Sequence, residues 1–176
     1  SKIPFELGII RNHYVGRTFI EPQQSIRALS VKLKHNVNRA LIDGKKIILI
    51  DDSIVRGTTS TKIIEMLRDS GVREVHMRIT SPPIKFPDFY GIDTPIQEQL
   101  LSAKHTIDEI SSFLKADSIS FLSINGLYKA MGYPEGRDPD NPAFTDHCFT
   151  GDYPTKLRDK ESNEEFSQLS LLSNLE

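Results

Sequence analysis

The stretch Lys46-Ile-Ile-Leu-Ile-Asp-Asp-Ser-Ile-Val-Arg-Gly-Thr-Thr-Ser60 constrains the fold more than any other part of this 176-residue chain. Its apolar residues Ile47 to Ile50 run continuously instead of alternating, which predicts a strand covered on both faces, as in a parallel sheet. Asp51 and Asp52 then fall at the carboxyl end of that strand, on the edge where open α/β sheets bind ligands. Beyond them Arg56-Gly57-Thr58-Thr59-Ser60 leads into the helical pattern Ile63, Ile64, Leu67, with Thr58 or Thr59 as the expected cap.

The chemistry follows from this placement. Amides at a helix start have no partner within the helix and face an anion, while a carboxylate pair suits sugar hydroxyls or a divalent cation, for which hard oxygen ligands are the natural choice. A phosphate on one side and a sugar on the other fits. An acidic pair after a strand also serves as a helix cap, or as the metal and phosphoacceptor pocket of receiver-like domains, so the doublet alone does not decide.

Composition narrows the classes. The net charge is −2 and the basic residues are spread along the chain, so the electrostatic footprint of a nucleic-acid binder is missing. No apolar run approaches the roughly 18 residues of a membrane span, and the N-terminus has no signal-peptide layout, which predicts a cytoplasmic protein. One cysteine excludes an internal disulfide and a cysteine-rich zinc pattern. Cys148 reads as a packed thiol, since no base can be placed beside it.

Along the chain, residues Pro4 to about Ile26 lack a clear period and read as a long, partly ordered loop. A helix is expected from Ser25 to Leu33, then a linker with Lys34-His35-Asn36 and a turn at Asp43-Gly44. A helix over about Thr59 to Ser70 stops at Gly71, and Val75 to Ile79 alternate as the next strand, completing a βαβ unit. Ser81-Pro82-Pro83 breaks regular structure at the ligand edge. Helices follow at about Ile96 to Ser102 and Thr106 to Leu114, a strand at Ser118 to Leu122 and a helix at Asn125 to Met131. The segment from Lys156 to Glu176 reads as a disordered tail.

The 46–60 string resembles, nearly residue for residue, the signature by which type I phosphoribosyltransferases bind phosphoribosyl pyrophosphate (PRPP). Further segments are similar, in the same order, to one family within that group, the glutamine PRPP amidotransferases or amidophosphoribosyltransferases. These are Arg11-Asn-His-Tyr-Val-Gly-Arg-Thr-Phe-Ile20, Ser81-Pro-Pro-Ile84, Phe89-Tyr-Gly-Ile-Asp93, the Ala116-Asp-Ser118 turn and Cys148-Phe-Thr-Gly-Asp-Tyr-Pro154. The resemblance covers about residues 3 to 155.

It implies an α/β fold: a type I phosphoribosyltransferase-like parallel sheet flanked by helices, N-terminally incomplete, with a helical C-terminal extension. Residues 1–125 would be a partial phosphoribosyltransferase domain with a flexible lid at about 11–36. Residues 126–155 would form a C-terminal helix and a Pro/Gly-rich segment, and 156–176 the tail. The implied reaction transfers glutamine-derived ammonia to PRPP, giving 5-phosphoribosylamine and pyrophosphate, the opening step of purine synthesis. Asp51 and Asp52 would grip the ribose hydroxyls and Mg²⁺. Ser53, Ile54, Val55, Arg56, Gly57, Thr58, Thr59 and Ser60 would hold the 5′-phosphate, and Tyr14, Arg17 and Lys34 would serve as lid and pyrophosphate contacts. The resemblance implies no residue of this chain as a protein acid or base. Purine nucleotides are expected inhibitors and a homo-oligomer the expected full-length state.

Two departures from the family stand out. Some members carry an iron-sulfur cluster held by cysteines; Asp88 and Thr145 occupy two of those places and only Cys148 remains, so no cluster is expected. Nothing resembles the glutaminase domain with its cysteine nucleophile, so this chain is expected to be the PRPP-binding portion of a longer protein, with sheet surface left uncovered. The rival expectations are a salvage-type phosphoribosyltransferase and a non-catalytic PRPP-binding fragment.

Overall fold

The structure is a computed structural model and describes residues 2–11, 35–92, 94 and 96–157. Its centre is a three-stranded parallel sheet in the order β3 (Lys46–Asp51), β4 (Glu74–Ile79), β5 (Ser118–Phe121), with Ile48 opposite His76 and His76 opposite Ser118. A separate antiparallel pair joins β1 (Ile9–Arg11) to β2 (His35–Val37). The helices are α1 (Arg39–Ile42), α2 (Thr58–Asp69), α3 (Leu101–Lys104), α4 (Ile107–Leu114), α5 (Ile124–Ala130) and α6 (His147–Thr150).

Parallel strands need a crossover, and α2 and α4 provide the two that link β3 to β4 and β4 to β5. The apolar stripe of α2, with Ile64 and Leu67 buried, meets Ile110 and Leu114 of α4 over the sheet face formed by Val75, Met77, Ile79 and Ile119. Burying side chains of this size contributes about 1.5–3 kcal/mol each. This single layer of helices over one sheet face is the core. Local signals set the helix ends. Thr106 caps α4 through a reciprocal box, its hydroxyl accepting Glu109 N at 3.3 Å while Glu109 Oε2 accepts Thr106 N at 2.8 Å. Gly71, at φ +93°, stops the chain after α2.

The strand expected to be covered on both faces is covered on one. Ile47 and Leu49 pack on the core, whereas Ile48 and Ile50 are 44 % and 65 % exposed. The run is continuous because its second face is also apolar, and among the described residues nothing lies over it. The same face of β4 and β5 is polar: Ser118 Oγ meets His76 Nδ1 at 2.8 Å and accepts from Arg78 Nη1 at 3.2 Å.

Other expectations shift at their boundaries. The loop read over Pro4 to Ile26 and the linker at Lys34-His35-Asn36 contribute β1 and β2, which pair with each other over three residues apiece. The helix expected at Ile96 to Ser102 is a 3₁₀ turn (Gln97–Gln99) followed by α3, separated by Leu100 in an extended conformation. Leu100 is fully buried, so its side chain sets the backbone there against local helix preference. The expected helix at Ser25 to Leu33 lies outside the described residues, as does the tail beyond Leu157. Among the described residues, no helix is long and apolar enough to cross a membrane.

The segment after α5 is tied down by polar contacts. Asp146 Oδ2 receives the Tyr128 hydroxyl and Arg137 Nε, both at 2.7 Å, and Arg137 also bonds Asp152. Burial by itself would raise the Asp146 carboxyl, but Arg137, Tyr128 and Thr150 together hold it below its ordinary value.

Candidate functional site

β3 ends on Asp51, so the strand itself presents the first carboxylate at the sheet edge. The Asp51 carbonyl accepts Thr80 N at 3.0 Å, which pins the end of β4 beside it. Asp51 Oδ1 accepts Asp52 N at 3.1 Å, and Asp52 Oδ1 accepts the Ser53 hydroxyl at 3.2 Å. Asp51 is half-buried and Asp52 exposed. Two adjacent carboxylates at the carboxyl edge of a parallel sheet make a hard-oxygen site suited to sugar hydroxyls or Mg²⁺.

The loop that follows is held from outside itself. Ile54 is 2 % exposed, and the carbonyl of half-buried Val55 accepts Leu101 N at 2.8 Å. Arg56 Nε donates to Gln99 Oε1 at 3.2 Å, which orients a guanidinium that is otherwise in solvent. The turn after β4 borders the same edge, and there the Ser81 hydroxyl is buried with no partner among the described residues.

The expected threonine cap gives way to Gly57, which takes the N-cap position of α2 at φ +75° with no side-chain cap bond. A left-handed backbone at this point disfavours any other residue. Space disfavours it too, since a Cβ would meet Leu101 Cδ2 at 2.8 Å and both Leu114 Cδ2 and Phe113 Cε1 at 3.2 Å. Because no side chain caps α2, the first-turn amides of a twelve-residue helix have no side-chain acceptor at the N-cap, and an anion is favoured there. Thr58 is exposed and Thr59 half-buried, whereas Ser60 is 3 % exposed and turns inward.

The end of β3, the loop after it and the start of α2 therefore carry Asp51, Asp52, Ser53, Ile54, Val55, Arg56, Gly57, Thr58 and Thr59 at the sheet edge, with Ser60 turned into the core. Tyr14, Arg17 and Lys34 lie outside the described residues. Sequence reasoning missed Gln99 and Leu101, which hold the loop from another segment; the apolar Leu100-Leu101 pair just before the Thr106 cap was the available signal. An open depression of about 650 Å³ lies elsewhere, lined by Phe144, Asp152, Tyr153 and Lys156 among others, and none of residues 51–60 contributes to it.

Cys148 is half-buried in α6, its thiol pushed up by burial and by the Asp88 carboxylate, which agrees with a packed rather than a reactive sulfur. Thr145 is exposed.

No protein-family model matches the chain. It is 60 % identical over 174 residues to an amidophosphoribosyltransferase of Rhizobium etli, covering 98 % of this chain and 35 % of that protein. It is 51 % identical to the chloroplastic amidophosphoribosyltransferase 1 of Arabidopsis thaliana, covering 89 % of this chain and 26 % of that protein. Among solved structures it superposes on the glutamine PRPP amidotransferase of Bacillus subtilis complexed with ADP and GMP with a TM-score of 0.73 at 49 % identity, covering 88 % of this chain and 33 % of that one. The chain spans 26 % to 35 % of the length of these relatives. At 60 % identity over 98 % of its length to one of these relatives, the chain belongs to the amidophosphoribosyltransferase family.

Proposed function

We propose that this chain is the PRPP-binding portion of an amidophosphoribosyltransferase. In the reaction, ammonia nitrogen bonds to the anomeric carbon of PRPP as the bond from that carbon to the pyrophosphate oxygen breaks. Pyrophosphate leaves with the bonding pair, one ammonia proton is released, and 5-phosphoribosylamine results. The observation that carries this reading is the placement of Asp51 and Asp52 one loop away from the uncapped start of α2.

Positive charge grows on the sugar and negative charge on the leaving group, so fixed charges and dipoles do the catalytic work, with no protein acid or base required. In this reading Asp51 and Asp52 hold the ribose hydroxyls, and the amides and hydroxyls of Ser53 to Thr59 receive the 5′-phosphate. The oxygen donors of the doublet fit Mg²⁺, which when bound neutralises pyrophosphate charge. Tyr14, Arg17 and Lys34 would close over the pyrophosphate. A site that excludes water protects both ammonia and its product.

Ammonia would come from a glutaminase domain, which this chain does not resemble, within a cytoplasmic homo-oligomer that starts purine synthesis. Purine nucleotides are candidate inhibitors, in keeping with ADP and GMP in the Bacillus subtilis complex. We also propose that no iron-sulfur cluster is present, because Asp88 and Thr145 stand where cluster cysteines would, and one thiol cannot supply four ligands. The test is release of pyrophosphate from PRPP by the full-length protein with ammonium salt as nitrogen donor. Release that depends on ammonium supports the enzyme, release that depends on a purine or pyrimidine base indicates a salvage transferase, and binding without release indicates a sensor.

A further inference from the structure

Away from the sheet edge, two segments distant in sequence bring three metal-ligating side chains together. An Asp88 oxygen, a ring nitrogen of His147 and Cys148 Sγ all lie within 4.8 Å of one another. Asp88 Oδ1 is 2.7 Å from His147 Nε2, and the side chains are 2 % and 6 % exposed. The other Asp88 oxygen accepts Tyr90 N at 2.9 Å and Ile92 N at 2.7 Å, so the carboxylate is fixed in place. The Cys148 carbonyl accepts Lys85 N at 2.9 Å and Phe86 N at 3.1 Å, which joins the backbone of α6 to the same loop. The rings of Tyr90 and Tyr153 pack on the imidazole at 5.1 Å each.

Asp88 Oδ1 meets the imidazole at Nε2, and His147 Nδ1 is buried with no hydrogen-bond partner among the described residues.

We propose that Asp88, His147 and Cys148 bind a single divalent transition-metal ion of the zinc type, which cross-links the 84–92 loop to the turn at α6. One oxygen, one imidazole nitrogen and one sulfur form a mixed donor set of intermediate softness, suited to zinc and not to magnesium or calcium. The set is equally unlike the all-thiolate shell of an iron-sulfur cluster. Zinc bonds of about 2.0–2.3 Å place tetrahedral donors about 3.3–3.8 Å apart, so the Asp88–His147 contact opens slightly while the sulfur closes in. The half-buried side of Cys148 admits water as the fourth ligand.

The test uses the full chain, stripped with a chelator and titrated with zinc against a chromophoric competitor. The expected result is one equivalent bound by the parent protein, with affinity at least tenfold lower in Cys148→Ser and Asp88→Asn. Cys148→Ser is nearly isosteric, and circular dichroism checks that it folds. As a second readout, the cobalt-loaded parent shows a thiolate-to-cobalt charge-transfer band that Cys148→Ser lacks. Less than one equivalent bound, equal affinity in folded Cys148→Ser, or a cobalt spectrum without that band overturns the proposal.

Discussion

Gly57 and Leu101 approach so closely that a Cβ on the first would lie 2.8 Å from Cδ2 of the second. The contact links the turn before α2 to the segment that leads into α4, so this turn rests on a part of the chain more than forty residues away in sequence. Val55 O to Leu101 N, at 2.8 Å, reinforces the same join.

Gly57→Ala combines a left-handed backbone with a collision, whereas Gly44→Ala, at φ +69° with nothing within 4 Å of its Cβ, meets the backbone penalty alone. The expected losses in denaturant unfolding are about 1–2 kcal/mol for Gly44→Ala and about 2–4 kcal/mol for Gly57→Ala. Only Gly57→Ala should also weaken PRPP binding. Equal losses at both positions would contradict the close packing.

Gln99→Ala removes the one side-chain acceptor observed for Arg56 Nε. An exposed hydrogen bond of this kind is worth about 0.5–1.5 kcal/mol, so PRPP affinity should fall about two- to tenfold while unfolding stability stays nearly the same. Gln99→Glu, which keeps the acceptor, should retain parental affinity. Titration calorimetry on the three proteins checks this.

The legible part of the fold was the part with local causes. The apolar run of β3, the stop at Gly71 and the alternation from Val75 to Ile79 each declare themselves within a few residues, and the βαβ unit of β3, α2 and β4 followed from them. Long-range packing was not legible. Nothing in Ile9–Arg11 or His35–Val37 alone marks them as partners, and the buried side chain of Leu100 breaks a helix that its neighbours would extend. The same holds at the site. The acidic doublet and the hydroxyl-rich turn were readable, whereas the choice of Gly57 over threonine as cap depends on Leu101, Phe113 and Leu114, which meet it only in the folded chain.

Asp146→Asn should cost about 1–3 kcal/mol at neutral pH, because the Arg137 guanidinium loses its buried charged partner while Asp152 still pairs with it. The pH dependence has a definite sign. The carboxyls of Asp146, Asp88 and Asp117 are all held below their ordinary values, Asp146 and Asp88 by polar contacts that outweigh burial, Asp117 first by Val75 N and then, against burial, by Arg68. Their stabilisation is complete well above the unfolded carboxyl value of about 3.9 and is lost as pH falls through it toward the folded values. Unfolding midpoints recorded from pH 6 to pH 3 should therefore drop steeply for the parent and less steeply for Asp146→Asn. Parallel curves would contradict this account.

The pairing of Arg68 with Asp117, at 2.6 Å, joins the end of α2 to the start of β5, and the same carboxylate accepts Val75 N at 2.6 Å. Asp117→Asn keeps the shape but weakens both bonds, and Asp117→Ala leaves the Val75 amide without its acceptor. The expected order of thermal midpoints is parent, then Asn, then Ala, with about 1–3 kcal/mol between the first and the last. An alanine variant as stable as the parent would remove this carboxylate from the account.

The most direct measurement is calorimetric titration of PRPP into the parent chain and into a variant carrying both Asp51→Asn and Asp52→Asn, in magnesium buffer, with circular dichroism confirming that both fold. The account predicts saturable binding by the parent and at least a hundredfold weaker binding by the variant. Equal affinity for the two proteins would contradict it.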